Sequence, residues 1–468
     1  MKKTTKIIAL LLCAVMMLGI FAGCQTQDPT TTGSKPQATN PSNPTDPVIK
    51  NWKDEYTADQ IKGFYNTAIK IGYTESFKYT TKGYTVGSGE EAEQVVYFFD
   101  LVREKFPNAE FVKIEDENDV AAIAAANFDV VFGLNTYSLQ ALKAASALKA
   151  FVPEWAEQVG ANLNDDDNMY FAIAKEMIIS VYRNTETVTD SADTAKHQDK
   201  ETFGGIEVNG LTNITDLWKE GSAYIGKYEL DAYLNDWSNL ANKTLLVSLL
   251  SQYIDTTATD TDCVSAEGWA LLQAMLDNSS KEWADAETKK IVTNTGAFIN
   301  NYSNTAIAIG SASNAIDKMG WYWAAGKAAR LSVAEYGAVP CYVFGAAITA
   351  TTTNVEAAQL FMDWIGTAEV VAEMYKHVRS MIPANLNVYT VVNVKDLDEN
   401  GSGAEYKDYT AALDADGNKI TRIIPTRQYM ENVAKIEAQN IDWDVVCQYV
   451  DAWVARANAM SGFTTDAE

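Results

Sequence analysis

The chain has 468 residues, with 62 acidic against 37 basic side chains and a formal charge of −25. That balance repels nucleic acid and anionic lipid surfaces and disfavours both as partners. With 47% hydrophobic and 11% aromatic residues, the stretch of about 418 residues from Asn51 onward exceeds what one compact core usually holds, so two lobes are expected.

In chain order the first segment is MKKTTKIIALLLCAVMMLGIFAGC. It has a basic start at Lys2, Lys3 and Lys6, an apolar run from Ile7 to Phe21 and the small-residue stop Ala22, Gly23, Cys24. It resembles a bacterial lipoprotein signal, with cleavage before a lipid-modified Cys24. Several acyl chains on one residue anchor stably where one chain is marginal, so the mature protein is expected on the outer face of the cytoplasmic membrane. Gln25 to Lys50 is built from Thr, Pro, Ser, Asn, Gln and Gly. It cannot bury a core and reads as a disordered tether with a reach of roughly 30 Å. Of five cysteines, Cys13 leaves with the signal and Cys24 is lipidated. Cys263, Cys341 and Cys447 match no zinc spacing and read as small buried hydrophobes with at most one bridge.

From Tyr84 the pattern alternates. Thr85 to Gly87 reads as a strand and Glu90 to Lys105 as a helix with Ala92, Val95, Val96, Phe99 and Val102 on one face. Glu110 to Ile114 follows as a strand and Asp116 to Asn127 as a helix, and the buried strand Phe128 to Gly133 leads into a helix through Ser138 to Leu148. This alternation predicts a parallel sheet. Met169 to Ala174 and Glu176 to Tyr182 read as two strands, before a polar stretch from Thr187 to Gly210. A second α/β region has a strand at Ala223 to Tyr228, helices at Ser238 to Ile254 and Ser265 to Leu276, and a strand at Thr305 to Gly310. Strands at Leu331 to Tyr336 and Tyr342 to Thr349 precede two helices over Val355 to His377, and Thr426 to Met460 reads as largely helical. Asn51 to Thr80 and Asn385 to Arg422 show no clear pattern.

Ligands of open parallel sheets bind at the carboxyl ends of strands, where helix starts and backbone N–H groups converge. Those positions here are Ser88, Asn135 with Thr136, Trp237 with Ser238, and Ser311 to Asn314, including Ser313. They are small, polar and uncharged, which favours hydrogen bonding over acid–base chemistry. Each serine there also fits a helix cap.

The phrase FDVVFGLNTYSLQALKAASALKAFVPEW, from Phe128 to Trp155, followed by YFAIAKEMIISVYRNTE, from Tyr170 to Glu186, resembles type II extracellular solute-binding proteins of ABC importers. It is closest in character to their iron, phosphonate, thiamine and polyamine branch. Further matches are VGSGEE at Val86 to Glu91, AIAIGSASNAI at Ala306 to Ile316, and VFGAAITATTTNVEAAQLFMDWIGTAE from Val343 to Glu369. The resemblance implies a two-lobed α/β fold with a hinge, crossing strands near Thr185 to Glu186 and near Ala334 to Gly337, and closure over a ligand that a permease reads. Iron-binding members carry two adjacent tyrosines just after the strand that here ends at Gly310. This chain has Ser311, Ala312, Ser313 and Asn314 there and only two histidines, His197 and His377, so a ferric site of that type is not expected. Anion-binding relatives imply roles for Ser88, Ser238 and Ser311, with Arg183 or Lys175 adding charge or serving structure.

GWYWAAGK places Trp321, Tyr322 and Trp323 in a row. These rings suit stacking on a sugar or amine, or inward packing at a lobe edge; Tyr336 has the same two readings. Asp396, Asp398, Asn400 and Gly401 begin like a calcium loop, but the twelfth position is Lys407, so a polar turn is expected. Asp414 to Asn418 reads as a hairpin turn, and Asp165, Asp166 and Asp167 as a solvated run rather than a metal site. No HExxH, GxSxG, GxxxxGK[ST] or CxxC motif occurs.

The resulting expectation is a binding protein and not an enzyme, with no cofactor. Residues 1–23 form the signal and 24–50 the lipidated tether; 51–185 with 338–385 form one lobe, 186–337 the other, and 386–468 a mostly helical segment packed on both. The ligand-binding candidates are Ser88, Asn135, Trp237, Ser238, Ser311, Ser313, Asn314, Trp321, Trp323 and Tyr336. The expected partners are an ABC permease and a small polar ligand: a phosphorylated or carboxylated molecule first, then a sugar, then a polyamine. A monomer is expected. A carbohydrate-binding adhesion lipoprotein is the alternative, with a glycoside hydrolase behind it.

Overall fold

The computed structural model describes residues 51–86, 93–183, 208, 211–230, 236–255, 257, 262–279, 307–313, 331–333, 337–378, 381–391, 409–413, 419–422 and 433–461. The signal, the tether with Cys24, and most of the polar stretch from Thr187 to Gly210 lie outside them, as do both acidic turns of 396–407 and 414–418. Two compact units divide the chain at Glu55. Among the described residues the first contributes one 3-10 turn, Trp52–Glu55; the second, Tyr56–Glu468, holds all that follows. No helix of the described residues is long and apolar enough to cross a membrane.

The second unit opens with α1 (Ala58–Tyr65), started by a Thr57 capping box with Gln60, and β1 (Lys70–Tyr73). Next come the hairpin β2 (Gly83–Val86) and β3 (Glu93–Val96), then α2 (Tyr97–Lys105), β4 (Glu110–Lys113) and β5 (Val130–Asn135). Asn135 ends β5 and caps α3 (Thr136–Ala144), accepting from Tyr137 N at 2.9 Å and Ser138 N at 3.2 Å. This satisfies two of the N–H groups a helix start leaves open. The short β6 (Leu148–Lys149) leads to β7 (Phe171–Arg183), a single strand of 13 residues where two were expected. Further on lie β8 (Tyr228–Leu230), α4 (Leu240–Leu250), α5 (Ala266–Asn278), β9 (Ile307–Ser311), β10 (Leu331–Val333), β11 (Ala338–Val339) and β12 (Cys341–Thr349). Then come α6 (Val355–Ile365), α7 (Ala368–His377), β13 (Ile382–Pro383), the hairpin β14 (Tyr409–Leu413) and β15 (Lys419–Arg422), β16 (Glu437–Ala438) and α8 (Val450–Ser461).

One ten-stranded sheet follows the path β4-β1-β5-β12-β7-β9-β8, with β10 and β13 also paired to β7 and β6 to β12. It is mixed where a parallel sheet was expected. The β4-β1-β5 and β8-β9 pairs are parallel, but β5-β12, β12-β7 and β7-β9 are antiparallel. The reason is β7 itself: Phe171 to Met177 lie against β12, and Ile178 to Tyr182 lie against β9. The partner exchange at Met177–Ile178 therefore joins the two halves of the sheet inside one strand. All nine residues of β12 and all six of β5 are buried, the continuous apolar pattern of strands covered on both faces. The ladder shifts register on both sides of Gly345. A Cβ there would lie 2.9 Å from Leu139 Cδ1 and 2.9 Å from Phe171 O, so only glycine fits.

Aromatic stacking fixes the first half of the core, with Phe98 on Phe132 at 4.4 Å and Phe77 on Phe344 at 5.0 Å between centroids. Cys263, Cys341 and Cys447 form no disulfide with one another, and burial pushes the Cys341 thiol up to about 12. Asp165, expected in a solvated run, is buried and paired with Lys143 at 2.8 Å. The C-terminal segment reaches both halves. Glu437 and Ala438 pair in parallel with Ala338 and Val339, Gln439 exchanges hydrogen bonds with Ser248 on α4, and Asn162 Nδ2 donates to Ala438 O at 2.9 Å. Lys175, a candidate for ligand charge, is buried and donates to Ala434 O and Ile436 O, both at 2.7 Å.

Candidate functional site

A cavity of about 380 Å³ opens where β7 changes partners. The first half of the sheet supplies Ser76 and Lys78 from the turn after β1, Tyr342 and Phe344 from β12, and Met381. The second half supplies Asn239 to Asn242 at the start of α4, Leu245, and Ile309 to Ser311 with Ser313 at the end of β9. Glu176 and Ile178 of β7 complete the wall. The carboxyl ends of parallel strands and the first turn of a helix thus meet at one place, the general location of ligand sites in α/β sheets.

Charge is sparse here. Glu176 is buried against the cavity wall: its Oε1 accepts from Ser313 N at 2.9 Å and Met177 N at 3.1 Å, and its Oε2 pairs with Ser313 Oγ. Burial pushes its carboxyl above the ordinary carboxylate range, against the hydrogen bonds from Ser313 and the more distant charge of Lys78. Burial, followed by the charge of Glu176, likewise raises the Tyr342 phenol well above its usual value. Opposite them are the exposed ammonium of Lys78 and the start of α4, where Asn239 accepts from Ala241 N at 3.1 Å. Helix starts favour negative charge through their open N–H groups and dipole.

A second cavity, of about 610 Å³, lies between α3, the 162–170 loop and the C-terminal segment. Its one cation among the described lining residues, Lys143, is already paired with Asp165, Asp167 and Asp444 at 2.8, 2.9 and 3.3 Å. That lysine is committed to three carboxylates and the cavity keeps an acidic excess, so the smaller cavity is the candidate for an acidic ligand.

Of the residues singled out in the sequence, Ser311 and Ser313 line this cavity. Asn135 is buried and its side-chain oxygen is taken by the α3 cap. Trp237 is buried in the core, with its backbone N–H donating to Asn458 Oδ1 at 3.0 Å. Ser238 is exposed and bonds Asp236 through both its amide and its hydroxyl, while the cap of α4 is Asn239, one residue later. Ser88, Asn314, Trp321, Trp323 and Tyr336 lie outside the described residues, as does the side chain of Arg183. Sequence reasoning passed over Lys78, Glu176, Asn239 and Tyr342. Only Glu176 carried a signal, a charge inside the apolar run FAIAKEMIISV; a buried acid in a strand requires a reason.

Among the described residues no group of three or more His, Cys, Asp and Glu is placed to hold a metal. The fold is type II periplasmic-binding-protein-like, an α/β architecture built on a central mixed sheet. Two of the solved structures that share it show the extent of the likeness. Apo FutA2 from Synechocystis PCC6803 is 11% identical, with a TM-score of 0.51 over 85% of this chain and 100% of that one. Ferric iron-binding protein A from Mannheimia haemolytica, in an open conformation, is 10% identical, with a TM-score of 0.50 over 85% of this chain and 100% of that one. No protein-family model matches the chain. No curated protein matches it either.

Proposed function

We propose that this protein is an extracellular solute-binding lipoprotein, held at the outer face of the cytoplasmic membrane by Cys24, that captures a small carboxylated or phosphorylated molecule and delivers it to an ABC permease. The observation that carries the reading is a single cavity walled by both halves of the sheet at the strand that joins them. A ligand touching both halves binds the closed arrangement better and shifts the population toward it. Lys78, Ser311 and the start of α4 supply donors and positive potential for an oxyanion. Glycoside cleavage uses two carboxyl groups, and Glu176 is the only one among the described lining residues. The ferric ligand named for one structural neighbour is not carried over, because Ser311, Ala312 and Ser313 follow Gly310 where phenolates would be needed.

The test is thermal unfolding of the full chain in detergent against carboxylates, phosphate esters, sugars, polyamines and ferric salts. A ligand at a hundred times its Kd adds about 2.7 kcal/mol, a clear rise in midpoint. Acids are expected to give that rise. Lys78→Ala is expected to weaken the acid that binds by about tenfold or more, since hydrogen bonds to charged groups contribute about 1.5–3 kcal/mol. A rise with sugars or polyamines alone would remove the acid from the proposal, and an unweakened Lys78→Ala would remove Lys78 from the site. The tether is tested separately. Cys24→Ala is expected to move the protein from the membrane fraction into the soluble fraction, and retention on the membrane would sink the lipid anchor.

A further inference from the structure

Glu176 poses a physical problem that the cavity can resolve. It is 4% exposed, and among the described residues no lysine, arginine or histidine nitrogen forms an ion pair with it. A buried carboxylate without a cation is costly, and the neutral form relieves that cost only by taking up a proton. Three of its roughly four acceptor positions are filled, by Met177 N, Ser313 N and Ser313 Oγ. The remaining one belongs to Oε2, on a residue that lines the cavity. The groups facing it do not supply the missing charge. Tyr342 and Cys341 on β12 are acids, and Lys78 acts on it from beyond ion-pair reach.

We propose that Glu176 is the specificity-determining residue of the cleft and that the ligand carries a cationic amino group for it beside the acidic group held by Lys78 and the start of α4. The ligand is then a small zwitterion, an aminoalkyl carboxylate or aminoalkyl phosphate. This rests on the acid-binding reading above and narrows it. An ammonium set against Glu176 favours its ionised form, so binding releases a proton wherever the free carboxyl is partly neutral, and affinity climbs as pH rises through that titration. A purely anionic ligand has the opposite effect: it favours the neutral form, takes up a proton and loses affinity as pH rises.

Titration calorimetry on the full chain in detergent would compare γ-aminobutyrate with butyrate and phosphoethanolamine with ethyl phosphate, in two buffers of different ionisation enthalpy. The expected result is at least tenfold tighter binding of one zwitterion than of its amine-free partner, with proton release. Glu176→Gln is expected to erase both the preference and the release. Amine-free acids that bind as tightly as the zwitterions, or zwitterions that bind without releasing a proton, would overturn the zwitterion while leaving the acid-binding reading intact; binding of neither set would overturn both. The proton balance is read on the unaltered protein, so the test survives a Glu176→Gln variant that does not fold.

Discussion

A Gly366→Ala variant is expected to lose about 2–4 kcal/mol of stability, and most of that loss is expected to vanish in a Trp155→Ala background. Gly366 follows the last turn of α6, and a Cβ there would overlap three carbons of the Trp155 indole. Neither side can yield easily. The indole is 1% exposed, packs edge-on to Phe171 at 6.0 Å and donates from Nε1 to Met362 O at 2.7 Å. The backbone of Gly366 is held in turn by Asn385 Nδ2, which donates to its carbonyl at 2.9 Å. Removing the ring alone is expected to cost about 3–5 kcal/mol, the usual loss for a buried tryptophan. Once it is gone the added methyl enters the space it leaves. Denaturant midpoints of the four proteins measure the coupling, and simple addition of the two losses would show that the ring and the glycine do not define one another.

Lys175→Met is expected to release the C-terminal segment from β7. The ammonium spans the gap to the carbonyls of Ala434 and Ile436, and methionine keeps the volume without a donor. Each carbonyl left unmet costs about 1–3 kcal/mol. Burial lowers the pKa of Lys175, and relief of its desolvation offsets part of that loss. A net fall of about 2–4 kcal/mol follows, with early proteolytic cleavage within residues 433–441, because the pairing of Glu437–Ala438 with Ala338–Val339 covers only two residues. An unchanged midpoint together with an unchanged cleavage pattern would show that β16 and α8 hold the segment without the lysine.

Much of the architecture was legible because its signals are local. The apolar run ending at Asn135, the cap at Ser265 and the two helices within Val355 to His377 follow from periodicity and capping. Elements whose stability comes from partners were not. The four residues of β1 carry no flanking signal, yet they pair with both β4 and β5. Glu93 to Val96 reads as part of the helix Glu90 to Lys105, and pairing with Gly83 to Val86 makes it a strand instead. The two apolar runs around Lys175 and Glu176 read as separate strands, because a pair of charges within a strand looks like a break until each charge has a buried partner.

By itself the sequence determined the alternation of strands and helices, the polar strand end at Ser311 and Ser313, and the acidic character that disfavours nucleic acid, since each depends on neighbouring residues or on a sum over the chain. Only the tertiary structure decided that β7 serves both halves of the sheet, that Lys175 fastens the C-terminal segment, and that Glu176 faces Lys78 and the start of α4 across one cavity. Glu176 and Ser313 are 137 residues apart. Their contact depends on the order in which strands pair, and strand order arises from burial summed over the whole sheet.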